Sequence, residues 1–129
     1  MLPQKTAPLG VVLVNLGTPD APTPVAVRRY LRQFLSDRRV IEIPPILWQL
    51  ILNLFILPFR PKRVAKLYAS IWQGDSPMRA ILQQQVSLLQ QQLEGCLPTE
   101  IKVRAAMTYG NPSVDSVLSQ LKAEGVEHI

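Results

Sequence analysis

The chain has 129 residues, enough for one domain and one core but not two, with 47% apolar residues and a formal net charge of +5. That balance suits acidic ligands or an anionic surface, and the lack of aromatics interleaved with the Arg and Lys argues against nucleic acid. The single cysteine, Cys96, excludes a disulfide framework and any cysteine-based cluster or zinc site within the chain.

Residues 1–9 read as an N-terminal tail. Met1 to Pro8 is short, polar and Pro-containing, unlike a signal peptide, so a cytoplasmic setting is expected. Gly10-Val11-Val12-Leu13-Val14 is a continuous apolar run, which predicts a strand buried on both faces of a parallel sheet. It breaks into Asn15-Leu16-Gly17-Thr18-Pro19-Asp20, a stretch of turn formers. Ligands of open α/β sheets bind outside the carboxyl ends of the strands, so this turn marks the expected binding edge. Thr23 as N-cap and Pro24 at the first helical position predict a helix over Pro24–Leu35. Val27, Leu31, Phe34 and Leu35 form its apolar stripe, and Arg28, Arg29 and Arg32 its solvated face. Ser36 to Arg39 ends the helix, and Val40 to Ile43 reads as a brief extended piece.

Between Pro44 and Pro61, the run Ile46 to Leu57 is apolar nearly all round, with only Gln49 and Asn53 polar. It falls short of the roughly twenty residues a membrane span needs. It is either a buried core helix or an exposed apolar lip that rests on a membrane or grips an apolar ligand. Pro61 opens the next helix, to about Trp72, with Val64, Leu67, Tyr68, Ile71 and Trp72 as its stripe. Arg60, Lys62, Arg63 and Lys66 put positive charge at its start, against the macrodipole. They suit a ligand anion, or are ordinary solvated residues.

Ser76 and Pro77 start a helix with Leu82, Val86, Leu89 and Leu93 on one stripe, ending near Gly95. Gln83 to Gln85 and Gln90 to Gln92 read as its solvated face. A second strand follows over Ile101–Met107, with Ile101, Val103, Ala105 and Met107 on one face. It breaks at Thr108-Tyr109-Gly110-Asn111. Asn111 as cap and Pro112 as first residue predict another helix, with Val114, Val117, Leu118 and Leu121 inward and Gly125 after its end. Val126 to Ile129 reads as the onset of a third strand. The order fits an α/β fold with parallel strands and right-handed crossovers. The unfinished sheet reads as part of a longer protein.

Few residues offer chemistry directly. His128 is the only histidine and has no nucleophile beside it. Asn15-Leu16-Gly17 lacks both the dinucleotide fingerprint and the P-loop lysine. What the spacing leaves is a sheet edge with an apolar lip, a basic helix start and two polar turns. That combination describes a pocket for a large, flat or greasy anion.

Three runs carry a resemblance: LVNLGTPDAPTPVAVRRYLRQFLSDRRVIEIP, LPFRPKRVAKLYASIWQGDSP and AAMTYGNPS. They resemble the amino-terminal part of ferrochelatases, in order and spacing, from Gly10 onward. The resemblance implies a chelatase-type fold of two Rossmann-like domains, with residues 10–129 the amino-terminal part of the first. It implies insertion of Fe²⁺ into protoporphyrin IX to give protohaem, with no resident cofactor or iron–sulfur cluster. It places Leu16 against one face of the macrocycle and Arg60, Arg63, Tyr68 and Ser76 at the porphyrin or its propionates. Tyr109 falls near the cleft, and Ile46 to Phe59 forms the lip at the pocket mouth, with peripheral membrane contact. Two positions depart from the family pattern. Thr108 stands where many relatives have Arg, and Gly74-Asp75-Ser76-Pro77 replaces Gly-Gly-Ser-Pro, adding a negative charge beside a propionate contact. The family's metal-handling His and Glu belong to a carboxyl-terminal part beyond Ile129, so this chain alone is expected to be inactive. A non-catalytic porphyrin- or haem-binding module of the same fold is the alternative. A nucleotide-binding module with phosphates at Asn15 to Gly17 is a third reading.

Overall fold

Strands β1, Leu9–Thr18, and β2, Ile101–Gly110, run ten residues each and extend past the apolar runs that seed them. They pair in parallel as the two strands of the sheet, in an α/β arrangement with five helices among the described residues, as expected for the fold class. The computed structural model describes residues 7–129, so residues 1–6 of the expected tail lie outside it. Leu9, assigned to the tail, instead opens β1, donating its N–H to Glu100 O at 2.8 Å. The helices are α1, Pro24–Leu35; α2, Pro45–Ile51; α3, Arg60–Ile71; α4, Pro77–Leu93; and α5, Val114–Ala123. By its contacts the chain divides into two units. Among the described residues, one holds those up to Leu16, Ala80–Thr108 and Pro112–Ile129, the other Gly17–Arg79 and Tyr109–Asn111.

The core of the first unit is Ala106, Val117, Leu121 and Val126, with Val12 and Val114 packed against it. It forms because α5 lays its Val117–Leu121 face on the sheet. Beyond that cover β1 is open: Val14 is 53% and Leu16 49% exposed. The strand expected to be buried on both faces is thus buried only in part. The expected third strand appears as a parallel bridge between Leu9 and His128, with the Gly10 N–H donating to His128 O at 2.9 Å.

Two local readings change here. Helix α5 starts at Val114, not Pro112, because the Pro112 carbonyl still accepts from the Met107 N–H (2.7 Å). Ser113 is the cap, its hydroxyl accepting from the Ser116 N–H. Gln90 is not a solvated residue. Its Nε2 donates to Ile101 O at 2.7 Å and its Oε1 accepts from the Val103 N–H at 2.8 Å. One side-chain amide thereby takes the place of a neighbouring strand along the outer edge of β2.

In the second unit α1 forms as its caps predict, with Thr23 Oγ1 accepting from the Ala26 N–H. Its buried residues are Val27 and Tyr30, and it packs on α3. Ala65 of α3 is buried, while Leu67 and Ile71 of the expected stripe stay more than half exposed. Residues Val40 to Ile43 are not extended. The Val40 and Ile41 N–H groups both donate to Asp37 O, closing a turn. Helix α2 passes into a π-helical turn at Leu52–Ile56, marked by the Leu57 N–H donating to Leu52 O at 2.8 Å. Leu52 and Leu57 are buried, and the Trp48 indole N–H donates to Leu35 O at 2.5 Å. Ile46, Leu47, Leu50, Leu54 and Phe55 are exposed and Trp48, Ile51 and Ile56 half-buried, so within this chain most of the run is not core.

Candidate functional site

The carboxyl ends of the strands meet backbone to backbone in the second unit. Gly17 has φ +143°, and a Cβ placed there would overlap the Tyr109 carbonyl oxygen. Gly110 has φ +85°, and its Cβ would stand 2.7 Å from Thr18 O. Both positions therefore require glycine, on conformation and on space. Both were expected in loops, but strand pairing runs through them.

Side chains from α1 and the turn after it lock this junction. The Tyr30 hydroxyl donates to Gly17 O at 3.2 Å, and Gln33 Oε1 accepts from the Gly110 N–H at 2.9 Å. Phe34 stacks parallel to Tyr30, with centroids 6.0 Å apart, and meets Tyr109 edge-on at 5.0 Å. The Tyr109 hydroxyl donates to Asp37 Oδ2 at 2.6 Å. Asp37 Oδ1 also accepts from the Arg39 N–H at 2.9 Å and Nε at 3.1 Å, and Oδ2 from Arg39 Nη2 at 2.9 Å. These hydrogen bonds, from Arg39 first and then Tyr109, hold the Asp37 carboxyl well below the usual carboxylate range. The same bond to Asp37, with burial second, pushes the Tyr109 phenol up. Burial, reinforced by the Tyr68 and Tyr109 phenols nearby, pushes Tyr30 up to about 12. Three tyrosines from three elements thus share one neighbourhood as neutral phenols.

A second knot centres on Arg79 in the first turn of α4. Its Nη1 pairs with Asp75 Oδ1 at 2.6 Å, and its Nη2 donates to Pro19 O (3.3 Å) and Asn111 O (3.2 Å). Asp20 lies 3.6 Å from the same guanidinium and accepts from Asn111 Nδ2 at 3.1 Å. One arginine therefore ties the turn after β1, the turn after β2 and the start of α4. Ser76 caps α4, its Oγ accepting from the Arg79 N–H, and is 1% exposed. Asp75, the added negative charge, is bound within the protein.

The sequence-predicted residues distribute as follows. Leu16 belongs to the first unit and is half exposed. Arg60, Arg63, Tyr68, Ser76 and Tyr109 belong to the second. Tyr68 is half-buried, edge-on to Trp72, and its phenol is pushed up by burial. Arg60 and Arg63 are exposed on the first turn of α3. Among the described residues, no ion pair uses Arg60, Lys62, Arg63 or Lys66. In sequence they directly follow the apolar run, whose Ile46 is 82%, Phe59 70% and Phe55 66% exposed. Ile46, Leu50 and Leu54 line an open groove there of about 450 Å³, with Gln49 and Asn53 at its polar positions.

Asp37, Arg39, Gln33 and Arg79 were missed by sequence reasoning. Asp75 and Arg79 at i, i+4 was a readable signal, and Asp-x-Arg at 37–39 a weaker one. Among the described residues no cluster of three His, Cys, Asp or Glu side chains could hold a metal ion, and no helix is long and apolar enough to cross a membrane. Among the described residues, the second unit thus offers exposed apolar surface, cations outside any ion pair and neutral phenols, and no nucleophile is paired with a base.

Comparison with known proteins adds the family. The family model described as ferrochelatase matches residues 8–129. A ferrochelatase of Psychrobacter sp. (strain PRwf-1) is 62% identical over 129 residues, covering 99% of this chain and 38% of the relative. One of Acinetobacter baumannii (strain ATCC 17978) is 58% identical over 120 residues, covering 92% of this chain and 36% of the relative. The chain spans little more than a third of the length of these curated relatives.

Proposed function

The chain belongs to the ferrochelatase family, and from that premise we propose that it is the amino-terminal part of an enzyme that inserts Fe²⁺ into protoporphyrin IX to form protohaem. In this reading residues 10–129 belong to the first of two Rossmann-like domains and supply one wall and the lip of the porphyrin cleft. The observation that carries it is the run of exposed apolar residues followed at once by free cations at the start of α3. A porphyrin is a broad apolar plate with two carboxylates, and that sequence of surfaces matches both of its parts. By the resemblance Leu16 is assigned to one face of the macrocycle and Arg60, Arg63, Tyr68 and Ser76 to the porphyrin or its propionates, with Tyr109 near the cleft. Because Arg79 neutralises Asp75, the added carboxylate does not oppose a propionate.

Metallation must remove two pyrrole protons and deliver the metal, which requires a base and metal ligands. Those are assigned to the carboxyl-terminal part of the protein, and this part binds and orients. The test uses the complete protein and residues 1–129 side by side. Ferrous insertion is expected in the first and not in the second. Arg60→Ala and Arg63→Ala in the complete protein are each expected to weaken protoporphyrin binding, read by fluorescence titration. The loss should fall near the lower end of the about 1.5–3 kcal/mol of charged hydrogen bonds, because both groups are exposed. Unchanged affinity in both variants would remove them from the site.

The exposed lip is further assigned a peripheral contact with the membrane in a cytoplasmic protein. Leu54→Asp with Phe55→Asp is expected to leave the circular dichroism spectrum unchanged and to reduce co-flotation with anionic lipid vesicles. Unchanged flotation would end the membrane assignment, and loss of the spectrum would return the segment to the core.

A further inference from the structure

The two edges of the sheet in the first unit differ. Along β2 the outward backbone is closed by the chain itself. Gln90 serves Ile101 O and the Val103 N–H, and the Met107 N–H donates to Pro112 O. Along β1 the edge is open. Leu9 turns its N–H to Glu100 O on the β2 side, and Gly10 turns its own the other way, to His128 O. Backbone groups alternate sides along a strand, so Val12, Val14 and Leu16 also face away from β2. Past the Leu9–His128 bridge, no strand pairs with that edge among the described residues. Leu16 ends it, because its N–H donates to Asn15 Oδ1 at 2.8 Å. Between β1 and α4 lies an open groove of about 620 Å³, lined by Leu13 and Val14 on one side and Leu82, Leu88 and Leu89 on the other. An apolar edge of this kind is a template for one more strand.

Resting on the reading of this chain as the amino-terminal part of a longer protein, we propose that the free edge of β1 seats the residues that directly follow Ile129. They pair with β1 as a parallel strand, in the register of the Leu9–His128 bridge, and the ladder stops at Asn15. The bridge sets direction and register. The first residue beyond Ile129 then donates to Gly10 O and accepts from the Val12 N–H. The third donates to Val12 O and accepts from the Val14 N–H. A fifth would find the Leu16 N–H already taken by Asn15. The faces follow from Gly10, where a Cβ would stand 3.0 Å from Val126 and 3.3 Å from Ile129 on the side of Leu121 in α5. Side chains alternate faces, so the first and third new residues lie on the opposite face, toward the α4 groove, and are apolar. The relatives, of which this chain covers 36–38%, have ample length to supply them. Because Gln90 and Pro112 close the outer edge of β2, the sheet grows on the β1 side alone.

The experiment is backbone hydrogen exchange in the complete protein, followed at Val12, Val14 and Leu16 by NMR. Val12 and Val14 are expected to exchange at least about a hundredfold more slowly than Leu16, whose acceptor is an exposed side chain. Comparable rates at all three would mean an open edge and overturn the proposal. Register is read in a Cys96→Ser background, from Val11→Cys combined with a cysteine at the first or at the second position beyond Ile129. A disulfide within the chain is expected with the first, which stands opposite Val11, and not with the second, which lies on the other face. Equal yields, no disulfide with either, or disulfides between chains, which would seat a second copy on this edge, would overturn it. The exchange measurement needs no variant, so it decides even if the cysteine variants fold poorly. A natural protein whose intact mass stops at Ile129 would sink the reading as an amino-terminal part. A longer protein with an open edge would sink this proposal alone.

Discussion

Gly17→Ala is expected to destabilise the protein by more than about 3 kcal/mol, enough to leave much of it unfolded or insoluble. Two independent costs meet at this residue. The backbone holds φ at +143°, a region essentially reserved for glycine, where another residue pays about 1–3 kcal/mol. The added methyl would then overlap the Tyr109 carbonyl oxygen, a backbone atom with no freedom to swing aside. Relief requires the ends of β1 and β2 to part, and with them the bonds from Tyr30 to Gly17 O and from Gly110 to Gln33. The control is Gly74→Ala, at φ +75° with nothing within 4 Å of its Cβ, where only the conformational cost of about 1 kcal/mol applies. Denaturant midpoints of the two variants separate the terms. Equal losses would mean that the strand ends do not press together as described.

That junction also shows where sequence reasoning reached and where it stopped. Asn15 to Asp20 and Thr108 to Asn111 were legible as the carboxyl ends of the strands because turn formers follow apolar runs. Their composition hid that strand pairing continues through Gly17 and Gly110, since the requirement there comes from the opposite strand. Helix α1 was legible to the residue because its signals are local: a threonine cap, a proline at the first position and apolar residues at helical spacing. Helix α5 shifted by two residues because Pro112 answers to Met107, a tertiary bond that capping rules do not contain. Gln90 looked like its neighbours Gln91 and Gln92, and only the placement of β2 makes it different. In the candidate site the residues with family motifs were legible one by one. The side chains that hold them, Asp37 to Tyr109 and Arg79 to three separate segments, pair across long stretches of chain and were not. The apolar run at Ile46 to Phe59 stayed ambiguous because hydrophobicity reports what a segment tolerates, not what covers it.

Arg79→Met is the second change expected to have a large effect, about 2–4 kcal/mol. Its side chain is 14% exposed, and it serves Asp75, Asp20 and the carbonyls of Pro19 and Asn111 at once. Methionine preserves the stem's packing and removes all of these partners. Breaking a fully buried ion pair costs about 3–5 kcal/mol, but Asp75 and Asp20 keep 38% and 40% of their side-chain surface in water and recover part of that. On the proposed reading, the variant in the complete protein should also release the Asp75 charge beside Ser76, so that binding of dianionic protoporphyrin weakens, and weakens most at low salt where screening is least. Asp75→Asn in the Arg79→Met background removes that charge. It should restore much of the porphyrin affinity and a smaller share of the stability, since the carbonyls of Pro19 and Asn111 remain without their donor. If Asp75→Asn restores neither, the unpaired charge is not what Arg79 guards against, and its role lies only in joining the two strand-end turns.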